Sequence, residues 1–199
     1  MKVESAMGLG IFGGTFDPVH TGHLALAEKA KTQFHLEKVI FVPAFLSPHK
    51  NEDSKITLPD MRYAMVEEAI RGKPGFEMSR IEIDRRGRSY TVETLRYFKK
   101  NYPGQSLFLI MGEDSYRNLS GWREPDEIKR LAHLLVAPRF PVTASRPSEE
   151  GMSWIGSPLC PYASSAIRGK LKAGQSVEGM LPDHVLDFIR RHGLYAEKR

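Results

Sequence analysis

Cysteine is almost missing from this 199-residue chain: Cys160 stands alone. One thiol cannot close an internal disulfide, so a disulfide scaffold is excluded and a reducing compartment is expected. Long apolar runs are missing too. None approaches the ~20 residues that span a bilayer. The N-terminus places Glu4 where a secretion signal needs an apolar stretch. These absences lead to the expectation of a cytoplasmic protein with no membrane partner. Neither sign of charge dominates: 29 Lys and Arg stand against 24 Asp and Glu, a net +5. That suits an anionic partner without separating nucleic acid from small phosphates. The densest basic run, Asp84-Arg85-Arg86-Gly87-Arg88, is short and opens with an acid. With no basic stripe interleaved with aromatics, nucleic-acid binding is not expected. Repeats, low-complexity tracts and metal-ligand clusters are also lacking. His20 and His23 have no third ligand at helical spacing, so no protein metal site is expected.

What is present is ordinary for a globular protein, with 41% hydrophobic and 27% charged residues. The length favours a single domain over residues 1–199. Residues 9–12 read as a buried strand ended by Gly13 and Gly14. Leu24, Ala27, Lys31 and Phe34 predict a helix over about 22–34. A second strand over 38–42 stops at Pro43. Strand, helix and strand within about 35 residues make a βαβ unit with parallel strands. Residues 43–55 read as a loop. Thr57 is the expected N-cap of a helix turning Leu58, Met61, Met65 and Ala69 inward. Residues 76–83 predict a kinked strand, and residues 91–102 a helix with Val92, Leu95 and Phe98 on one face. Strands over 107–111 and 133–137 flank a short helix over 127–132. Residues 140–151 read as a loop. Helices over 164–172 and 182–191 close the chain, with Gly193 as the stop. Apolar strands alternating with helices predict an α/β fold, a doubly wound parallel sheet with helices on both faces. Such sheets bind ligands outside the carboxyl ends of their strands. That points to the residues after Gly13, Pro43 and Gly112.

Unusual residues gather at those places. Gly13-Gly14-Thr15-Phe16-Asp17-Pro18-Val19-His20-Thr21-Gly22-His23 follows a strand and opens a helix. Glycines admit a phosphate close to the backbone. The helix start supplies free N–H groups and a positive dipole end. Two imidazoles three residues apart can donate to one anion and to the charge that develops during transfer. Ser47-Pro48-His49-Lys50 stiffens a loop that presents an imidazole and a cation, although a solvated loop also fits. Thr91 reads as a helix cap after Arg88-Ser89-Tyr90. Asp114, just past a strand, can accept hydrogen bonds from both ribose hydroxyls. Trp122 fits a stacking platform or an ordinary half-buried position. In Tyr162-Ala163-Ser164-Ser165-Ala166-Ile167-Arg168, Ser164 or Ser165 caps a helix. Its N–H groups, hydroxyls and guanidinium converge on one anion.

Residues 13–23 resemble the GxFDPxHxGH signature of the HxGH nucleotidyltransferases. Within them the chain is most similar to the nicotinate-nucleotide adenylyltransferases. The related phosphopantetheine enzymes carry Thr at the position of His20. The other elements match in the family's order, so the resemblance runs from residue 8 to 168. It implies a Rossmann-like fold of nucleotidyltransferase type, its ATP site completed by the C-terminal helices from about residue 160. It implies adenylyl transfer from ATP to nicotinate mononucleotide, giving nicotinate adenine dinucleotide and pyrophosphate in NAD biosynthesis. No covalent intermediate forms, and catalysis is positioning plus electrostatics. His20, His23, Lys50 and Arg168 are the implied catalytic residues. ATP is implied to meet Gly13, Gly14, Thr15, Phe16 and His23 at the first turn. Gly112 and Asp114 meet its ribose side, and Ser164, Ser165 and Arg168 its phosphates. The mononucleotide is implied to meet Asp17, His49 and Lys50, with Tyr90, Thr91, Trp122 and Arg123 around the pyridine. Magnesium would be carried mainly by the ATP phosphates. Two departures stand out: Ala163 where the family has Ser, and Arg123 where some relatives carry a second aromatic. A nicotinamide or other small-phosphate substrate, a non-catalytic nucleotide sensor and a homo-oligomer all stay open.

Overall fold

The computed structural model describes residues 8–48, 56–138, 149–156 and 162–196. β1 (Gly8–Gly14) leads through α1 (Thr21–Gln33) to β2 (Leu36–Pro43), then α2 (Pro59–Ile70) and β3 (Phe76–Met78). α3 (Ile81–Arg85) and α4 (Thr91–Asn101) follow. The second half runs β4 (Leu107–Gly112), α5 (Glu113–Arg117), α6 (Pro125–Leu131), β5 (His133–Ala137), β6 (Met152–Trp154), α7 (Ser164–Lys172) and α8 (Asp183–Arg191). The strands form one sheet in the order β3-β2-β1-β4-β5-β6, and every pair is parallel. The order reverses between β1 and β4, and a doubly wound sheet opens a crevice at such a point.

The strands bury both faces, so their apolar residues sort by alternation rather than by sequence block. Leu9, Ile11, Ile40, Val42, Leu109 and Val136 join Val92, Leu95 and Phe98 of α4 and Ile128 of α6 in one core. Phe12, Val39, Phe41, Ile110 and Leu135 face the other way, towards Ala27 and Ala30 of α1, Met65 of α2 and Val185 of α8. The predicted α/β sheet with helices on both faces is the fold that forms.

Four local expectations are corrected. The kinked strand over 76–83 is a three-residue strand followed by α3, because Glu82 and Ile83 are buried side by side on a helical turn. The inward face of α2 is Arg62, Met65, Val66 and Ala69, while Leu58 is 69% exposed before the helix. Thr57, Thr91 and Ser164 or Ser165 are not caps. The cap positions belong to Leu58, Tyr90 and Ala163, and none makes a side-chain cap bond. Last, a short strand, β6, follows the segment read as a loop and pairs with β5. Among the described residues no helix is long and apolar enough to cross a membrane.

Candidate active site

The turn from β1 to α1 lies at the sheet's switch point. His20 occupies the N-cap position of α1 with extended backbone. Its ring lies over that of His23, centroids 3.7 Å apart and planes 31° apart. The His20 N–H donates to His23 Nδ1 at 3.2 Å. A neutral His23 therefore carries its proton on Nε2. Phe16 packs edge-on against the His23 ring at 5.1 Å, and Phe12 lies behind both. This dry setting holds both imidazoles neutral. Burial lowers His20 to about 4. Burial first, and the His20 charge second, push His23 well below its ordinary 6.5. His20 Nδ1 is buried with no hydrogen-bond partner among the described residues.

Below the turn sits a guanidinium that the sequence reading passed over. Arg62 is 1% exposed. Its Nε donates to the Thr57 carbonyl at 2.9 Å and its Nη1 to the Thr15 carbonyl at 2.6 Å. Its Nη2 donates to the carbonyls of Ala44 and Phe45 at 2.6 and 3.0 Å. One side chain thus joins the loops after β1 and β2. A signal for it existed: Arg62, Met65, Val66 and Ala69 share an i, i+3, i+4, i+7 face.

A cleft of about 540 Å³ opens above the sheet. Gly13, Gly14, Thr15, His20 and His23 line one side of it. Gly112 and Asp114, at the end of β4, line the other, with Thr91 and Trp122 farther along. The cleft therefore brings together three of the predicted strand-end segments. A smaller pocket of about 180 Å³ shares Pro48, Ser89, Thr91 and Trp122 with it and adds Tyr90 and Arg123. The Arg123 guanidinium lies 4.8 Å over the Tyr90 ring and bonds Glu93 at 2.8 Å. The cation thus stiffens the pocket wall while its charge is partly matched. Glu82 also reaches the cleft, another residue that the sequence reading missed. Thr94 and Ser89 hydrogen-bond its carboxyl, and burial pushes its pKa up. Its place between Ile81 and Ile83 was the available signal. Ser89 in turn accepts the Phe45 N–H at 3.0 Å. Glu82 thereby braces the turn before α4 against the loop after β2.

The remaining predicted residues lie elsewhere. Phe16 and Asp17 are each 2% exposed and form the floor of the turn rather than the cleft wall. Ser164 Oγ donates to the Pro18 carbonyl at 3.0 Å, and Arg168 Nη1 to the Asp17 carbonyl at 2.6 Å. The first turn of α7 is thereby docked on the histidine turn, with Ser165 exposed on it. His49 and Lys50 lie outside the described residues.

A parallel sheet that opens at its switch point onto a Gly-rich turn with two stacked histidines defines a nucleotide-phosphate-handling α/β protein. The cytidylyltransferase-like family model matches residues 11–170. A Desulfitobacterium hafniense (strain Y51) protein named "Probable nicotinate-nucleotide adenylyltransferase" is 39% identical over 197 residues, covering 94% of this chain and 95% of its own length. A Clostridium tetani protein of the same name is 35% identical over 195 residues, with 93% and 97% covered. The chain belongs to the cytidylyltransferase-like family, and within it to the nicotinate-nucleotide adenylyltransferases, which are nucleotidyltransferase enzymes. The fold is shared with the solved Plasmodium falciparum nicotinic acid mononucleotide adenylyltransferase complexed with NaAD. That match has a TM-score of 0.77 at 17% identity and covers 94% of this chain and 97% of that one.

Proposed function

We propose that this protein joins the adenylyl group of ATP to nicotinate mononucleotide, releasing pyrophosphate and forming nicotinate adenine dinucleotide for NAD synthesis. The observation that carries this reading is one continuous cleft. Its His20–His23 end suits phosphates, and its Thr91–Trp122 end suits a flat acidic ring. A phosphate oxygen of the mononucleotide attacks the α-phosphorus of ATP. The bond to the bridging oxygen breaks, and pyrophosphate leaves with that electron pair. The protein has to align the reactants and match the charge that develops. Neutral His23 supplies an Nε2–H donor without a proton transfer, and His20 is its stacked partner. Gly13, Gly14, Thr15 and Gly112 leave room for the triphosphate and sugar. Asp114 accepts from the ribose hydroxyls.

Arg168 and the N–H groups at the uncapped start of α7, with Ser164 and Ser165, hold the β- and γ-phosphates. The C-terminal helices from about residue 160 so complete the ATP site of a single domain. Phe16 and Asp17 support this machinery from below, and the resemblance assigns the phosphates to His49 and Lys50 as well. Trp122 stacks on the pyridine, and the uncapped α4 N-terminus at Thr91 receives its carboxylate, with Tyr90 and Arg123 beside it. A helix N-terminus and a nearby cation both favour the acid over the amide.

Magnesium fits as an ion carried by the ATP phosphates. Among the described residues no group of three or more His, Cys, Asp or Glu is placed to hold a metal, and the Asp17 carboxylate already has protein partners. An ion held by phosphates and water needs few protein ligands, and when bound it offsets charge on the leaving pyrophosphate. The single thiol supports a cytoplasmic location for the enzyme. His23→Ala tests the reading. The expected result is a turnover at least 100-fold lower with ATP affinity little changed, because the contact tightens in the transition state. Equal loss of rate and affinity would remove His23 from that role.

A further inference from the structure

Asp17 is buried, yet its neighbours converge on it from three distant segments. Tyr195 Oη donates to its Oδ1 at 2.7 Å, and the Thr57 N–H meets Oδ2 at 3.4 Å. Arg168 Nη1 donates to its backbone carbonyl at 2.6 Å and lies 3.8 Å from Oδ2. The tyrosine comes from the far end of the chain, and a specific turn delivers it. After α8 the Gly193 N–H bonds the Arg190 carbonyl at 3.2 Å, and the Leu194 N–H bonds the Ile189 carbonyl at 3.0 Å. This pair of bonds is the Schellman motif, closed by Gly193 at φ 58°. Two residues after Gly193, Tyr195 also has a positive φ, 62°, a conformation that bulky residues rarely adopt. The reversed chain aims its hydroxyl back under the histidine turn.

We propose that Tyr195 is a positioning residue for adenylyl transfer: through Asp17 it fixes the guanidinium of Arg168. This rests on the role given above to Arg168. The Arg168 side chain is 32% exposed and long, so its rotamers are many. Binding one Nη1 hydrogen to the Asp17 carbonyl selects one of them and leaves the rest of the fork to face phosphate. That carbonyl holds still only if Asp17 does, and Asp17 is held by Tyr195. A displacement of the order of 1 Å in such a group can cost a factor of ~100 in rate.

The test is a double-mutant cycle on the full chain with magnesium-ATP and nicotinate mononucleotide. Tyr195→Phe keeps the ring beside Met65 Sδ, which lies 3.8 Å from the hydroxyl, and removes only the hydroxyl. We expect kcat about tenfold lower, with KM for the mononucleotide unchanged. Arg168→Ala lowers kcat further, and Tyr195→Phe added to it costs almost nothing more, because both act through one group. Val185→Ala loosens the same C-terminal helix away from Asp17. It lowers Tm and leaves kcat alone, so lost stability is separated from lost positioning. Wild-type kcat in Tyr195→Phe, or losses that multiply in the double variant, would overturn the proposal while leaving Arg168 in place. Wild-type turnover in Arg168→Ala would remove the Arg168 role itself, and the inference with it.

Discussion

A methyl group added to Gly13 would meet nothing within 4 Å, whereas one on Gly10 would lie 2.9 Å from Leu36 Cδ1 and 3.0 Å from Val39 Cγ2. The two glycines of one strand thus serve different ends. Gly10 admits its neighbours in the core, and Gly13 keeps the floor of the cleft bare. Gly13→Ala is therefore expected to leave Tm within about 1 °C of wild type, as open surface changes do. It should also cut kcat/KM for ATP, because the methyl occupies the path of the phosphates. Unchanged kcat/KM would place the triphosphate elsewhere. Single residues were legible in the sequence where chemistry is rare and local. Two histidines flanking a glycine at a strand end have few other uses, and nine predicted residues share the main cleft: Gly13, Gly14, Thr15, His20 and His23 with Thr91, Gly112, Asp114 and Trp122. Phe16 and Asp17 sit in the same motif but face inward. Motif membership does not reveal which side of a turn a side chain takes.

Elements were legible where apolar periodicity is strong. β1, β2, β4, β5, α1, α4, α7 and α8 fall within a few residues of their expected places. Helix starts were not, because Ser and Thr near a start were taken as caps. In α4 and α7 the hydroxyl residue is the first residue of the helix itself. That error bears on function, since a start with no side-chain cap keeps its N–H groups available to an anion. How elements are joined was the least legible layer. Arg62 of α2 bonds four carbonyls on the two loops after β1 and β2, and Tyr195 reaches Asp17 across 178 residues of sequence. Arg62→Met would leave those four carbonyls without this donor and Asp17 without a facing charge. The expected cost is several kcal/mol, since each buried carbonyl left without a partner costs about 1–3 kcal/mol. Differential scanning calorimetry should show Tm lower by roughly 10 °C for a chain of this size. Arg62→Lys should not restore it, since an ammonium cannot fork to both loops. A Tm within 1 °C of wild type would show that the loops hold themselves.

For the molecule as a whole, the site is dry enough to keep its own charge low, and that has a consequence for stability against pH. His20 titrates at about 4 in the folded protein and near 6.5 when unfolded. Between those values the unfolded chain binds the extra proton, so stability is full above pH 6.5 and falls as pH drops towards 4. Burial pushes the Glu82 carboxyl up, which works in the opposite sense. The difference between wild type and His20→Asn reads His20 together with its effect on the stacked His23. Tm of wild type relative to that variant should decline from pH 6.5 to 4 and stay constant from 6.5 to 8. A relative Tm that is flat throughout would mean that His20 is solvated and charged in the folded state. The parallel, doubly wound sheet and the family followed from local motifs because parallel βαβ units leave few topologies. The proposed choice of acceptor rests instead on the start of α4, Trp122 and Arg123, which line one pocket. The most direct measurement is pyrophosphate release with magnesium-ATP and, in parallel, nicotinate mononucleotide, nicotinamide mononucleotide or phosphopantetheine. Turnover that strongly favours the nicotinate substrate is the predicted result. Preference for the amide, or turnover with none of the three by folded protein that still binds ATP, would contradict it.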